Sequence, residues 1–216
     1  MMNDWNEGWS REYALKGRLW GGNPHPLPVL KEPSTVLDLG CGDGRAIPGM
    51  IGKGWSVIAL DSSPQAVRLA RAVDTTHRAM CVIGIAGQLP FRNEVFDAVF
   101  AAHLAGHLPE SRRAELGREL PRVLLPGGCV FFRDFAVGDF REGRGEQAEP
   151  QTWLRKNGIA THYFTEPEVT ALFAPLEPVT LRTCEWEIRV RGNRLPRREI
   201  EGVFRKEEFP SENPDS

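Results

Sequence analysis

A doubly wound, mostly parallel seven-stranded α/β sheet with an antiparallel C-terminal strand pair is the fold this sequence predicts, on three observations. Short apolar runs bounded by turn residues alternate with helix-like segments, the pattern of a parallel sheet covered on both faces. A glycine-rich turn, Gly40-Cys41-Gly42-Asp43-Gly44, joins the first such run to the first helix of the series. Two longer strand-like stretches follow the last helix and are separated by Gly192-Asn193, a turn signal.

In chain order, residues 1–34 read as a helical lead-in whose Trp5, Trp9 and Trp20 pack on the domain. The strands predicted after it are Thr35–Leu39, Ser56–Leu60, Met80–Ile83, Phe96–Ala101 and Cys129–Arg133. The helices between and after them are Gly44–Ile51, Pro64–Val73, Glu110–Val123 and Pro167–Phe173. Pro64 is a good start signal, because a first-turn residue needs no N–H. Leu125-Pro126-Gly127-Gly128 reads as a tight turn feeding the fifth strand. Residues 134–161, rich in glycine and charge, fit no regular element, and 134–165 are expected to form an insertion on one side of the site. Val179–Arg191 and Arg198–Lys206 form the closing pair. The whole reads as one domain over residues 1–209, with a disordered tail at 210–216.

The chain has 216 residues, enough for one sizeable core and short for two. Its 27 Lys and Arg against 29 Asp and Glu exclude a surface coated in basic charge, although a local basic stripe is compatible. Residues 182–206 are such a stretch, with twice as many Arg and Lys as Glu. The four cysteines, Cys41, Cys81, Cys129 and Cys184, form no C-x-x-C pair, so neither a zinc site nor a disulfide framework is expected. No metal is expected. The first ten residues show neither a basic n-region nor an apolar h-region, and no apolar run approaches a bilayer's thickness. The expected location is cytoplasmic, with no membrane partner.

The segment Val36–Gly44 is the most informative. A buried strand running into a glycine turn that opens a helix lets backbone approach a ligand closely and offers it free N–H groups. Asp61 closes the next strand, where an acid accepts hydrogen bonds from ribose hydroxyls. Residues 40–45 read G-x-G-x-G rather than the G-x-G-x-x-G of a dinucleotide site, and Arg45 stands where close helix–strand packing is required. Asp38 in the strand end would repel a phosphate but suits a ligand carrying an ammonium and a sulfonium.

Leu37-Asp38-Leu39-Gly40-Cys41-Gly42-Asp43-Gly44 resembles the first motif of class I S-adenosylmethionine-dependent methyltransferases. Asp61-Ser62-Ser63-Pro64, Leu89-Pro90-Phe91 with Phe96-Asp97-Ala98-Val99, and Leu125-Pro126-Gly127-Gly128 resemble the later ones, in family order over about residues 30–135. The resemblance implies a Rossmann-like fold and S-adenosylmethionine as cofactor. It implies that Asp38, Gly40, Cys41, Gly42 and Gly44 hold the methionine end, and Asp61 with Ser62 the ribose. Relatives place an acid near position 85 for the adenine amine. Here Ile85, Ala86 and Gly87 stand instead, so adenine is expected on their backbone, with Gln88 beside them. Ala102 and His107 complete the expected cofactor set. Leu19-Trp20-Gly21 resembles the lead-in of thiopurine- and tellurite-resistance-type methyltransferases, which implies that Trp20 covers the cofactor.

Candidates on the acceptor side should leave the carboxyl ends of the strands. His103 follows the fourth strand, Arg133-Asp134 ends the fifth, and His162-Tyr163 precedes the last helix. A histidine supplies a base if the acceptor holds its proton at neutral pH. Phe132-Arg133-Asp134-Phe135, Asp139-Phe140, Trp153 to Gly158, Tyr163-Phe164-Thr165 and Asn193-Arg194 resemble tRNA 3-methylcytidine methyltransferases, over about residues 130–206. The expectation is methyl transfer to a nitrogen or oxygen of a small molecule, because the N-terminal part with which that tRNA family holds its substrate is not matched here. Methylation of tRNA, and a non-catalytic S-adenosylmethionine-binding regulator, are the alternatives.

Overall fold

The computed structural model describes residues 5–19 and 26–208, with side chains from Glu7 onward. Trp20, the side chain of Trp5 and the tail 210–216 lie outside the described residues. Among the described residues the elements run α1 (Trp5–Lys16), β1 (Thr35–Leu39), α2 (Ile47–Gly52), β2 (Ser56–Asp61), α3 (Pro64–Val73), β3 (Ala79–Ile83) and β4 (Phe96–Ala102). They continue with a 3-10 turn (Ala105–His107), α4 (Glu110–Val123), β5 (Leu124–Phe135), β6 (Glu146–Glu149), β7 (Thr152–Leu154), β8 (Ala160–His162), α5 (Glu166–Phe173), β9 (Glu177–Val190) and β10 (Asn193–Arg205).

The main sheet has the order β3-β2-β1-β4-β5-β10-β9. Strands β1 to β5 pair in parallel, and β10 runs antiparallel to both neighbours. Chain order reverses at β1, which pairs β2 on one side and β4 on the other, so a crevice opens outside the carboxyl ends of β1 and β4. Side-chain alternation sends Val36, Val57 and Ala98 into a core under α2 and α3, and Leu37, Val99 and Phe132 into one under α4 and α5.

Local chemistry explains the helices. Ser63 caps α3 by accepting from the Ala66 N–H at 3.3 Å, with Pro64 next to it. Gly117 lets α4 meet α5, since a β-carbon there would stand 2.2 Å from the Leu172 carbonyl oxygen.

Several expectations change: the helix expected from Gly44 begins at Ile47, and the last strand, expected from Arg198, begins at Asn193. Residues 134–161 are not irregular: β6, β7 and β8 form a small antiparallel sheet over the site end of the main one. Strands of four and three residues carry too little alternation to register against the glycines that punctuate them. The expected turn at Leu125–Gly128 lies inside β5 as a bulge. The pairing of Phe96 with Leu124 jumps to that of Ala98 with Cys129. The strand also runs on to Phe135, because β10 pairs with its far end.

Candidate active site

The glycine turn is held in place by backbone. Gly40 and Cys41 donate to the Leu60 carbonyl at 2.8 and 3.0 Å, and Gly40, Gly42 and Gly44 all have positive φ. Space is as restrictive as conformation. A β-carbon at Gly44 would stand 2.7 Å from Ala70 Cα, and one at Gly42 would stand 2.5 Å from the Tyr13 hydroxyl. Asp61 ends β2 with one carboxylate oxygen accepting from the Gly42 N–H and the other from the Ser63 N–H, both at 2.9 Å. The same residue therefore faces the crevice and braces the loop. Burial raises its pKa against these hydrogen bonds.

Asp38 lies near the carboxyl end of β1 and is buried. Its Oδ2 is sealed from water and accepts no hydrogen bond from the described residues. Burial, and then the nearby Asp61 carboxylate, push its pKa up to about 7 against the pull of Arg45. A cationic group placed there would relieve both effects, which fits a ligand with an ammonium and a sulfonium.

Other cofactor-side expectations fall around the same crevice. Ile85, Ala86 and Gly87 form the turn after β3, closed by Gln88 N–H donating to the Ile85 carbonyl at 3.0 Å, and Gly84 donates to the Asp61 carbonyl. Ser62 lies between Asp61 and the Ser63 cap, and Ala102 is the exposed last residue of β4. His107 has another task. Its Nδ1 faces the Ala160 carbonyl at 2.7 Å, and its ring meets Trp9 of α1 edge-on at 4.8 Å. Burial lowers its pKa to about 4, so it is a neutral tie between α1, the 3-10 turn and β8.

Sequence reasoning missed Tyr13. The residue is buried on the inner face of α1, and only the closeness of its hydroxyl to Gly42 reveals it. Its neighbour Leu19 fastens the lead-in to the glycine turn by donating to the buried Asp43 carboxylate at 3.0 Å.

The other bank of the crevice is built from side chains. His103 sits at φ +52, with its N–H donating to the Arg133 carbonyl at 2.7 Å and its ring 4.6 Å from that of Phe135. Its two ring nitrogens face Asp134 at 4.0 Å and Glu199 at 3.8 Å. Asp134 is buried, accepts from the Gly106 and Phe135 N–H groups, and is pushed by burial to about 7. Arg133 pairs with Glu199 and, at 2.7 Å, with Glu201. Tyr163 packs on Phe135 and Trp153.

His162 does not join them. The backbone alternates at Tyr163, and the His162 ring instead bridges Thr152 at 2.8 Å and Glu168 at 2.7 Å. There it lines a separate cavity of about 450 Å3 against α4 and α5. Glu199, Arg141 and Arg197 were not anticipated, since each reaches the cluster from a segment distant in sequence.

A methyltransferase-domain family matches residues 37–132. An uncharacterized methyltransferase of Synechocystis is 32% identical over 160 residues, covering 69% of this chain and 69% of that protein. A tRNA N(3)-methylcytidine methyltransferase of Schizosaccharomyces pombe is 24% identical over 201 residues, covering 82% of this chain and 78% of the relative. An S-adenosylmethionine-dependent methyltransferase structure from Methanosarcina mazei superposes with a TM-score of 0.69 at 24% identity, over 83% of this chain and 95% of its own. Together with the strand order and the orphaned carboxylate beside the glycine turn, these place the chain in the class I S-adenosylmethionine-dependent methyltransferases, enzymes whose cofactor is S-adenosylmethionine.

Proposed function

We propose that the acceptor is a small molecule methylated on nitrogen or oxygen, within one domain spanning residues 1–209 that works in the cytoplasm. The observation that carries this reading is the pairing of the basic hairpin. Arg182 meets Glu201 at 2.9 Å, Arg194 meets Glu187 at 3.1 Å, and Arg198 meets Glu185 at 3.2 Å across β9 and β10. A surface that grips RNA keeps its cations available to phosphates, because their neutralisation supplies most of the affinity. Here carboxylates already stand against them. Among the described residues no helix is long and apolar enough to cross a membrane.

In this reading the turn Gly40–Gly44 and Asp38 hold the methionine end of the cofactor, Asp61 and Ser62 its ribose, and the turn Ile85–Gly87 its adenine. When bound, S-adenosylmethionine supplies an electrophilic methyl group for in-line displacement. The protein's part is to orient the acceptor and exclude water. Arg133, Asp134 and His103 line the acceptor side, with Tyr163 above Phe135. His103, between two carboxylates, is the group placed to take a proton from an acceptor that retains one. Trp20, outside the described residues, covers the cofactor in this reading.

The test is transfer of labelled methyl from S-adenosylmethionine into a metabolite extract and, separately, into total small RNA. Label in the metabolite fraction is expected. A second reading, methylation of tRNA, draws on the Schizosaccharomyces relative, whose match covers 82% of this chain; label confined to RNA would install it instead.

A further inference from the structure

Phe135 carries more polar neighbours than a core ring needs. Besides His103, the Arg141 guanidinium lies over it at 3.9 Å and that of Arg197 at 5.1 Å. Arg197 also approaches Trp186 at 5.7 Å. Asp139, whose side chain is fully buried, is shared between these two cations, accepting from Arg141 Nε at 3.0 Å and lying 3.5 Å from Arg197.

That leaves two donors unanswered. Arg141 Nη2 and the Tyr163 hydroxyl are both sealed from water; Arg141 Nη2 has no hydrogen-bond partner among the described residues, and the Tyr163 O–H has no acceptor there, since the partner of its oxygen, the Arg155 guanidinium, only donates. Tyr163 is 1% exposed. Buried donors of this kind are normally satisfied, and one left without an acceptor marks a missing partner or a strained site. The surrounding charge specifies the partner. Burial raises the Tyr163 pKa, Arg141 and then Arg155 pull it back, and Asp139 adds to the rise, so two guanidiniums and one carboxylate flank its oxygen. The rings beside these groups are Phe135 and Phe140 under Arg141, Trp153 against Tyr163 and Trp186 near Arg197.

We propose that the acceptor carries an anionic oxygen group, a carboxylate or a phosphate monoester on an aromatic body, docked between Arg141 and Tyr163. The inference rests on the small-molecule reading above and narrows it. Charge-assisted bonds to a guanidinium are among the stronger available, and an anion with two or more terminal oxygens can take one from each side. His103, on the same Phe135 ring, then lies at the end of the bound molecule nearer β4. Arg141 and Tyr163 are acceptor-binding residues, and no bond to either is made or broken in the transfer.

The test is calorimetry on the full chain saturated with S-adenosylhomocysteine, using 4-hydroxybenzoate, phenyl phosphate and the neutral 4-hydroxybenzamide as probes. At least one anion should bind ten times more tightly than the amide, and which one tells carboxylate from phosphate. Arg141→Gln should weaken that anion by tenfold to a hundredfold while leaving the amide and S-adenosylhomocysteine affinities unchanged. Tyr163→Phe should weaken it less. If Arg141→Gln does not fold, Arg141→Lys keeps the charge beside Asp139 and should lose affinity by severalfold. Equal binding of the amide, no binding of either anion, or indifference to the Arg141 and Tyr163 substitutions would overturn the proposal. Label entering only RNA would overturn the small-molecule reading itself, whatever the probes do.

Discussion

Between Asp38 and Ser63 the polar atoms are met mostly by nearby backbone: Gly42 and Ser63 N–H groups on Asp61, the Leu60 carbonyl on Gly40 and Cys41. Around Phe135 they are met by side chains from five separate segments, with His103, Arg133, Arg141, Tyr163 and Glu199 converging on one another. The two banks of the same crevice therefore tolerate change differently. Backbone hydrogen bonds within one turn specify a shape that many sequences of the family share. Side-chain networks assembled from distant segments can be rewritten one residue at a time, which is how a common cofactor cradle serves different acceptors.

The largest effect expected on the backbone-built bank is that of Gly44→Val. At φ +79, with Ala70 Cα 2.7 Å from the new β-carbon, overpacking and left-handed strain add to about 3 kcal/mol of lost stability. Cofactor binding should vanish with it. Denaturant unfolding and calorimetry check both, and a stable variant that binds normally would mean that the turn is not the cradle.

Asp61→Asn should follow. Losing a charged acceptor is expected to weaken S-adenosylmethionine by about 1.5–3 kcal/mol. Because Asp61 also braces Gly42 and Ser63, the unfolding midpoint should fall too, which a purely ligand-facing acid would not produce.

His103→Ala tests the other bank. Turnover should drop on the order of a hundredfold from misplaced acceptor, with the cofactor Kd unchanged. Parallel loss of cofactor affinity would move His103 across the crevice and erase the contrast between the banks.

The smallest effect is a pH dependence. In the free protein Asp38 is pushed to about 7, above its unfolded value, so its carboxyl is more readily protonated when folded. Its contribution to stability is therefore present at low pH and is lost as pH rises through about 7. A bound cation favours the ionised form, so below about pH 7 binding must expel a proton, and affinity should weaken by up to about tenfold per unit. Calorimetry between pH 6 and 8 should show S-adenosylmethionine binding tighten with pH, and Asp38→Asn should flatten the curve. A wild-type affinity independent of pH would leave Asp38 without a cationic partner.

Strand alternation, the Ser63-Pro64 helix start and the glycine turn with Asp38 and Asp61 were legible in the amino-acid sequence, because each is a relation among residues a few positions apart. Periodicity and turn chemistry act over that range, and the fold class followed from them, as did the cofactor cradle proposed above. What only the tertiary structure decided lies at long range. The short strands β6 to β8 owe their form to pairing, not to local preference. His162 and Tyr163, adjacent in sequence at the end of β8, face opposite ways because extended backbone sends successive side chains to opposite sides. The meeting of Arg141, Arg197 and Glu199 with His103 depends on β10 closing beside β5, and Tyr13 reaches Gly42 only when α1 folds back over the crevice. No local pattern encodes such contacts, since their energies are realised only after the chain has brought distant residues together.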